Sequence, residues 1–360
     1  MNNLYIGVMS GTSLDGVDVT LCEINENSCK LLHSHEFVFP KDLKNEVLNA
    51  ISTSVTLQTL GTLDHKLGQL FADSINEFLK TYKINAKDIN AIGLHGQTLW
   101  HEPQSETPFS MQLGDANIVA SNTQIKTVAD FRRMDMANGG QGAPFAPAFH
   151  QFLFSNLMGN VAVVNIGGMA NITLLGKNLR GWDIGCGNVL LDMWITQTRD
   201  KAYDKDGDFA RSGRINKELL NAMLQDAYFL KTPPKSTGRE YFNDTWVANF
   251  LPLFVSIKDE DIQATLLELT ARTIADSIKN SSIDTLILCG GGAKNSYLVE
   301  RLGKLCDTNV KCSDDYGVSS DALESMAFAW LAYKRIQGEV VDLKSVTGAS
   351  ENSQLGAIYG

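Results

Sequence analysis

The residues of this 360-residue chain whose types and spacing point to chemistry are carboxylates set beside glycine-rich turns. The clearest is Asp183, in the run GWDIGCGN from Gly181 to Asn188. A carboxylate at the end of a strand, ahead of a Gly-rich turn that opens a helix, commonly points into a ligand crevice. Trp182, Ile184 and Cys186 around it would exclude water and raise its basicity, as a general base requires. The plainer reading is an aspartate that caps the turn or the helix. A second carboxylate cluster lies in SGTSLDGVD, Ser10 to Asp18. Gly11 and Gly16 have the spacing of a Walker A loop. Val17 and Asp18 nevertheless stand where that loop needs Lys and Ser/Thr, and a strand pattern follows instead of a helix. What remains is a hairpin tip whose N–H and O–H donors can hold phosphate. Asp15 or Asp18 there could hold magnesium through water. The competing reading is a tight turn satisfied by its own Asp and Ser side chains.

Three weaker signals accompany these. The segment LILCGGGAKN, 286–295, leads a strand into Gly290, Gly291 and Gly292, where backbone can lie close to a flat ring or a phosphate. Neither this run nor Gly185 with Gly187 completes a dinucleotide fingerprint, because Asn295 and Leu190 occupy the third glycine positions. Glu324 follows Asp321 by three residues, which reads first as a capping-box start of a helix and only second as a catalytic carboxylate. His95, before Gly96-Gln97, is the histidine best placed to meet a ligand; no histidine has metal-ligand spacing. Arg132, Arg133, Lys235 and Arg239 lie in turn-rich stretches, as solvated surface or as carboxylate and phosphate readers.

The elements that must position these residues alternate short β-branched runs with amphipathic helical runs, an α/β pattern. Leu4 to Val8 and Val17 to Ile24 read as a hairpin with the Gly-rich tip between them. Leu60, Leu63, Leu67, Leu70, Phe71, Ile75, Phe78 and Leu79 follow helical spacing. A strand over 88–94 ends at His95, and 131–147 reads as a functional loop or domain junction. Val161 to Ile166 and Ile172 to Leu175 form a second hairpin around Gly167-Gly168. A strand over 285–289 precedes a helix near 296–306, and helices are expected over 260–280 and 321–336. Each half thus opens with a hairpin whose tip is rich in glycine, a faint sign of duplication.

Composition narrows the function classes. Hydrophobic residues make up 44% and charged residues 20%, which describes an ordinary globular chain. The formal net charge of −10 argues against nucleic acid or anionic membrane as a general partner. Any anion must be held locally. The first basic residue is Lys30, so no signal-peptide n-region is visible. The most apolar stretch, 161–175, is broken by Asn165 and Asn171 and is shorter than the ~20 residues of a membrane helix. Six scattered cysteines without a CxxC read as reduced thiols. A cytoplasmic protein is expected.

Together the motifs resemble the anhydro-N-acetylmuramic acid kinases. They are IGVMSGTSLDGVD (6–18), HGQT (95–98), WHEP (100–103), DFRRMDMANGGQGAP (130–144), NIGGMANIT (165–173), GWDIGCGN (181–188), KSTGREYF (235–242), CGGG (289–292) and SVTGAS (345–350). They run in order over nearly the whole chain. The resemblance implies a two-domain actin-like ATPase (ribonuclease H-like) fold of the sugar kinase, heat-shock chaperone and actin superfamily, with ATP in an interdomain cleft. The expected domains are 1–131 plus approximately 340–360, and 132–339. It further implies that Gly11, Thr12, Ser13, Leu14, Asp15, Gly16, Val17 and Asp18, with Gly167 and Gly168, meet ATP phosphates. Gly290, Gly291 and Gly292 are expected beside adenosine, with Mg2+ at Asp15 and Asp18. Asp183 takes the place of the catalytic base, assisted by Glu324, with His95, Arg132 and Asn188 at the sugar. One departure is Cys186, where the family usually has Pro. The implied reaction opens a 1,6-anhydro amino sugar with water and phosphorylates its 6-oxygen from ATP. A kinase of an ordinary sugar hydroxyl, a nucleotide-dependent binding module and a glycosidase using Asp183 with Glu324 are the alternatives. No nucleic acid or membrane partner is expected, and a homodimer is left open.

Overall fold

The computed structural model describes residues 3–11, 14–233, 235–254 and 256–360. The chain divides into two compact units, Met1–Leu153 with Ala322–Gly360, and Phe154–Asp321. In the first unit, the N-terminal run folds as expected into an antiparallel pair, β1 (Leu4–Met9) and β2 (Gly16–Asn25), extended by β3 (Ser28–Val38). The apolar alternation of β1 and β2 is nearly lost because both are central strands covered on both faces, and Ile6, Val8, Val17 and Val19 are fully buried. β4 (Ile89–Leu94) runs parallel to β1. β5 (Gln97–Glu102) and β6 (Phe109–Leu113) form a separate two-stranded ribbon, and β7 (Thr127–Ala129) pairs parallel with β4. The helix Leu57–Thr81 buries Leu63, Leu67, Phe71, Ile75 and Phe78, the stripe its spacing predicts.

The second unit repeats this plan. β8 (Val161–Ile166) and β9 (Met169–Leu174) form the second expected hairpin, and β10 (Arg180–Cys186) extends it antiparallel. β11 (Thr285–Cys289) lies parallel to β8, and β12 (Asn309–Cys312) parallel to β11. The spatial order β10-β9-β8-β11-β12 matches β3-β2-β1-β4-β7 strand for strand and in every direction. Helices Asp259–Ile278 and Ser296–Leu305 cover this sheet's core. The duplication that two Gly-rich hairpin tips only suggested is therefore a duplication of the whole five-strand core.

The chain then returns to the first unit, where β13 (Ala357–Tyr359) pairs with β7. The return happens earlier than the sequence suggests. Residues 132–153 and 322–339, expected in the second domain, pack with the first. The helix Leu323–Ile336 crosses β1 and β4 at Gly7 and Gly93, where any Cβ would collide with the carbonyls of Ser325 and Phe328. Its near-complete burial hides the polar stripe that would have marked it as a surface helix. The stretch 131–147 is also not loop throughout. Arg132–Ala137 and Ala146–Phe154 are helical, with the loop confined between them.

Candidate active site

Asp183 lies inside β10, not at its end as the sequence suggests. Its backbone N–H donates to Lys235 O (3.0 Å), and Tyr228 Oη donates to its carbonyl (2.8 Å). The outer edge of β10 is thus closed at this point by the 235–237 segment. Pairing with β9 slips between Asp183 and Gly185, a bulge of the kind that re-aims side chains near active sites. One carboxylate oxygen, Oδ2, accepts from Ser236 Oγ (2.9 Å) and from Thr237 N–H (3.1 Å). Partial burial pushes the Asp183 carboxyl above the usual aspartate range; those two hydrogen bonds pull it back, and the Glu240 charge raises it again. A carboxylate held in place by two donors yet more basic than in water is equipped to take a proton at neutral pH.

Three glycine turns of this unit meet one another just past the end of β10. The N–H groups of Gly187 and Val189 donate to Gly168 O, and that of Asn188 to Gly167 O. Asn188 Nδ2 donates to Ile166 O (3.1 Å). Gly290 and Gly292 pack on Asn165 and Ile166 at the end of β8, while Gly291 is exposed near the Asn188 amide. Asn188, expected at the sugar, therefore spends its amide donor on tying the turns together. The Arg239 guanidinium lies against Gly168. It also faces Asp192, whose carboxyl burial pushes up to about 6, with Arg239 lowering and Asp204 raising it.

In the first unit, β4 ends at His95, which is 5% exposed. His95 Nε2 lies 2.8 Å from Arg132 Nη2, and Arg132 Nη1 donates to Gly142 O at 2.8 Å. A guanidinium cannot accept, so Nε2 accepts and the proton of the neutral ring sits on Nδ1. Burial and the neighbouring Arg132 charge hold the imidazole well below the usual histidine range. Burial lowers Arg132 to about 10, partly offset by the Glu324 charge. Arg132 remains a cation at neutral pH. Its aliphatic and cationic surface rests on Phe145, 5.1 Å from the ring centre. His95 Nδ1 and Arg132 Nε are buried and form no hydrogen bond among the described residues.

Glu324 faces this pair and does not cap its helix. The helix begins at Leu323 with no side-chain cap, and Asp321 is ion-paired with Lys294. The capping-box reading fails because Asp321 has a stronger partner than a helix N–H. Surrounding protein raises the Glu324 carboxyl above the usual range while the Arg132 charge lowers it, although solvent still reaches the side chain.

The β1–β2 tip carries hydrogen bonds of its own. Leu14 N–H donates to Gly11 O (3.2 Å), and Ser10 Oγ to Gly16 O (3.4 Å). Thr12 and Ser13 lie outside the described residues. Leu14 and Val17 are fully buried, so only their backbone is available to a phosphate. Asp15 pairs with Lys44 at 3.0 Å. A Cβ on Gly16 would meet the Glu36 side chain, so bulk there does not point at a bound phosphate. Among the described residues, no group of three His, Cys, Asp or Glu could hold a metal ion.

Sequence reasoning missed Ser236, Thr237 and Asp192, and named Arg239 without its carboxylate partner. The first two stand more than fifty residues from Asp183 along the chain, and only the folded edge of β10 brings them to it. Asp192 follows Asn188 by one helical turn on the helix Val189–Arg199, a spacing that could have flagged it.

Two α/β units with one shared strand order, the second carrying a hydrogen-bonded carboxylate beside converging glycine turns, define the class. This is a two-domain protein of the actin-like ATPase fold, to which the sugar kinases belong. The family model for anhydro-N-acetylmuramic acid kinase matches residues 3–360, and the chain belongs to that family. It is 54% identical over 367 residues to the anhydro-N-acetylmuramic acid kinase of Sulfurimonas denitrificans, covering 100% of both chains. It is 56% identical to that of a Sulfurovum species, covering 99% of this chain and 98% of that one. Among solved structures, the activator of the 2-hydroxyisocaproyl-CoA dehydratase from Clostridium difficile with bound ADPNP is similar at a TM-score of 0.47 and 11% identity, over 93% of this chain and 96% of that one.

Proposed function

We propose that the chain uses water to open 1,6-anhydro-N-acetylmuramic acid and ATP to phosphorylate its 6-oxygen, giving N-acetylmuramic acid 6-phosphate and ADP in peptidoglycan recycling. The observation that carries this reading is Asp183, a carboxylate fixed on one oxygen by Ser236 and Thr237 and raised in basicity by burial. The substrate's 6-oxygen is locked in an acetal and has no proton to lose. A base near it must therefore act on water. Asp183 takes a proton from water as the water oxygen bonds to the anomeric carbon. The bond from that carbon to the 6-oxygen breaks. The freed 6-oxygen bonds to the γ-phosphorus, and the bond to the bridging oxygen of ADP breaks. A positioned base supplies roughly 10²–10⁴-fold of the rate.

The remainder comes from positioning and charge neutralisation. ATP phosphates are assigned to backbone at Gly11 and the β1–β2 tip and to Gly167 with Gly168, and adenosine to Gly290, Gly291 and Gly292. Magnesium is a hard cation that keeps several waters and needs few protein carboxylates. Asp15, which pairs with Lys44, and Asp18 are the carboxylates of the tip that would hold it. Bound there, the metal would neutralise phosphate charge. The Arg132 cation suits the lactyl carboxylate, the His95 Nδ1–H suits a sugar oxygen, and Glu324 assists at the ring. Asn188 keeps a structural role in this scheme.

Phosphorus NMR of reactions with ATP and either the anhydro sugar or ring-opened N-acetylmuramic acid tests the proposal. A sugar phosphate forming only from the anhydro sugar is expected. Preference for the ring-opened sugar would make the protein an ordinary hydroxyl kinase.

A further inference from the structure

The SVTGAS run near the C-terminus and the NGGQG loop after Arg132 have no part in the chemistry above, yet the fold joins them. Asp135, 2% exposed, links the two. Its Oδ1 accepts from Thr347 Oγ1 at 2.7 Å and its Oδ2 from Gly142 N–H at 2.7 Å. Its backbone carbonyl accepts from Gly140 N–H at 2.9 Å. A Cβ on Gly140 would collide with the Asp135 carboxylate, so the glycine is what lets the loop wrap it. Three further bonds join the same segments, two of them backbone to backbone. Gln141 N–H donates to Thr347 O (3.0 Å), and both Ser350 N–H (2.9 Å) and Ser350 Oγ (3.0 Å) donate to Asn138 O.

The consequence falls on one residue. Gly142 gives its N–H to Asp135 and its carbonyl to Arg132 Nη1. Arg132 in turn holds His95 Nε2. The hydroxyl of Thr347 is therefore connected to the guanidinium through one carboxylate and one glycine residue. We propose that Asp135 and Thr347 are positioning residues, a buried strut through which the C-terminal segment sets the Arg132 guanidinium for the substrate. This rests on Arg132 being a substrate-binding group, as proposed above. Thr347→Val keeps the shape and removes the hydroxyl that donates to Oδ1. Asp135→Asn is the conservative partner. Its amide oxygen can accept from Gly142, its NH₂ can donate to the Thr347 oxygen, and that hydroxyl can turn to Leu343 O, 3.2 Å away.

The test uses the full chain and two readouts. Steady-state kinetics separate KM for the anhydro sugar, KM for ATP and kcat. Nitrogen-15 imidazole NMR follows His95 without any need for turnover. Thr347→Val is expected to raise the sugar KM on the order of tenfold, with kcat and the ATP KM within about twofold, and to move the His95 Nε2 resonance. Thr347→Ser and Asp135→Asn are expected to stay near wild type on both readouts. Ser350→Ala removes a lighter bond of the same strut, and should show the same changes in smaller size even if Thr347→Val does not fold. A Thr347→Val or Ser350→Ala protein with wild-type sugar KM and an unmoved His95 resonance would overturn the proposal. So would equal losses for sugar and ATP with His95 unmoved. If the wild-type chain does not turn over the sugar, the functional reading fails alone, and the His95 resonance still decides the strut.

Discussion

Replacing Asp183 by Asn isolates the base from its surroundings. The Oδ2 position needs only an acceptor, because Ser236 Oγ and Thr237 N–H both donate to it. An asparagine can place its amide oxygen there, and its NH₂ where the other carboxylate oxygen stood. The edge of β10 is held by the Asp183 backbone groups, bonded to Lys235 O and the Tyr228 hydroxyl, which the substitution does not touch. Folding and ATP binding are therefore expected to survive. The basic lone pair is lost, and with it a general-base contribution of roughly 10²–10⁴-fold in kcat, about 3–5.5 kcal/mol of barrier at 1.36 kcal/mol per decade. Wild-type kcat/KM should also fall as pH drops through the raised Asp183 value, since only the ionised carboxylate accepts a proton. That acidic limb should vanish in the variant. The assay is coupled ADP release across pH 4.5–8, with circular dichroism and nucleotide titration as controls. A folded, ATP-binding Asp183→Asn protein within about threefold of wild type would refute the reasoning.

Ser236→Ala removes one hydrogen bond that favours the charged carboxylate, so the acidic limb of the pH–rate profile should move to higher pH, with kcat at its plateau largely retained; an unmoved limb would detach Ser236 from the base. His150 is fully buried, and burial holds it down to about 3. Below an unfolded value of ~6.5 the unfolded chain binds a proton that the folded one does not, so stability falls as pH falls from 6.5 toward 3, by about 2 kcal/mol between pH 7 and 5 from this residue alone. Urea unfolding at the two pH values should show a smaller difference in His150→Leu. Gly93→Ala forces a Cβ into the Phe328 carbonyl and should cost about 1–3 kcal/mol in denaturant unfolding, where a neutral result would mean the helix can shift away.

Local patterns made the fold legible where a strand or helix has one wet face or a marked turn. The β1–β2 and β8–β9 hairpins, the Leu57–Thr81 helix and the strands ending at His95 and Cys289 all carry such marks. The domain boundary was not legible, because the Leu323–Ile336 helix is nearly all buried and joins the first unit through contacts with Gly7 and Gly93, far away in sequence. At the site, residue type singled out Asp183, His95 and Arg132. The partners that tune them required the fold: Ser236 and Thr237 reach Asp183 over 53 and 54 positions, and Thr347 reaches Asp135 over 212. Asp321 shows the opposite failure. Its spacing to Glu324 is a good capping signal, but Lys294 claims the carboxylate and leaves Glu324 beside Arg132.

The central claim is that water attacks the anomeric carbon in the same reaction that phosphorylates the 6-oxygen. Turnover of the anhydro sugar and ATP in ¹⁸O-labelled water, followed by mass spectrometry of the products, tests it most directly. The account predicts one label on the anomeric hydroxyl of the sugar phosphate and none in its phosphoryl group or in ADP. Label in the phosphoryl group, or a sugar phosphate without label, would contradict it.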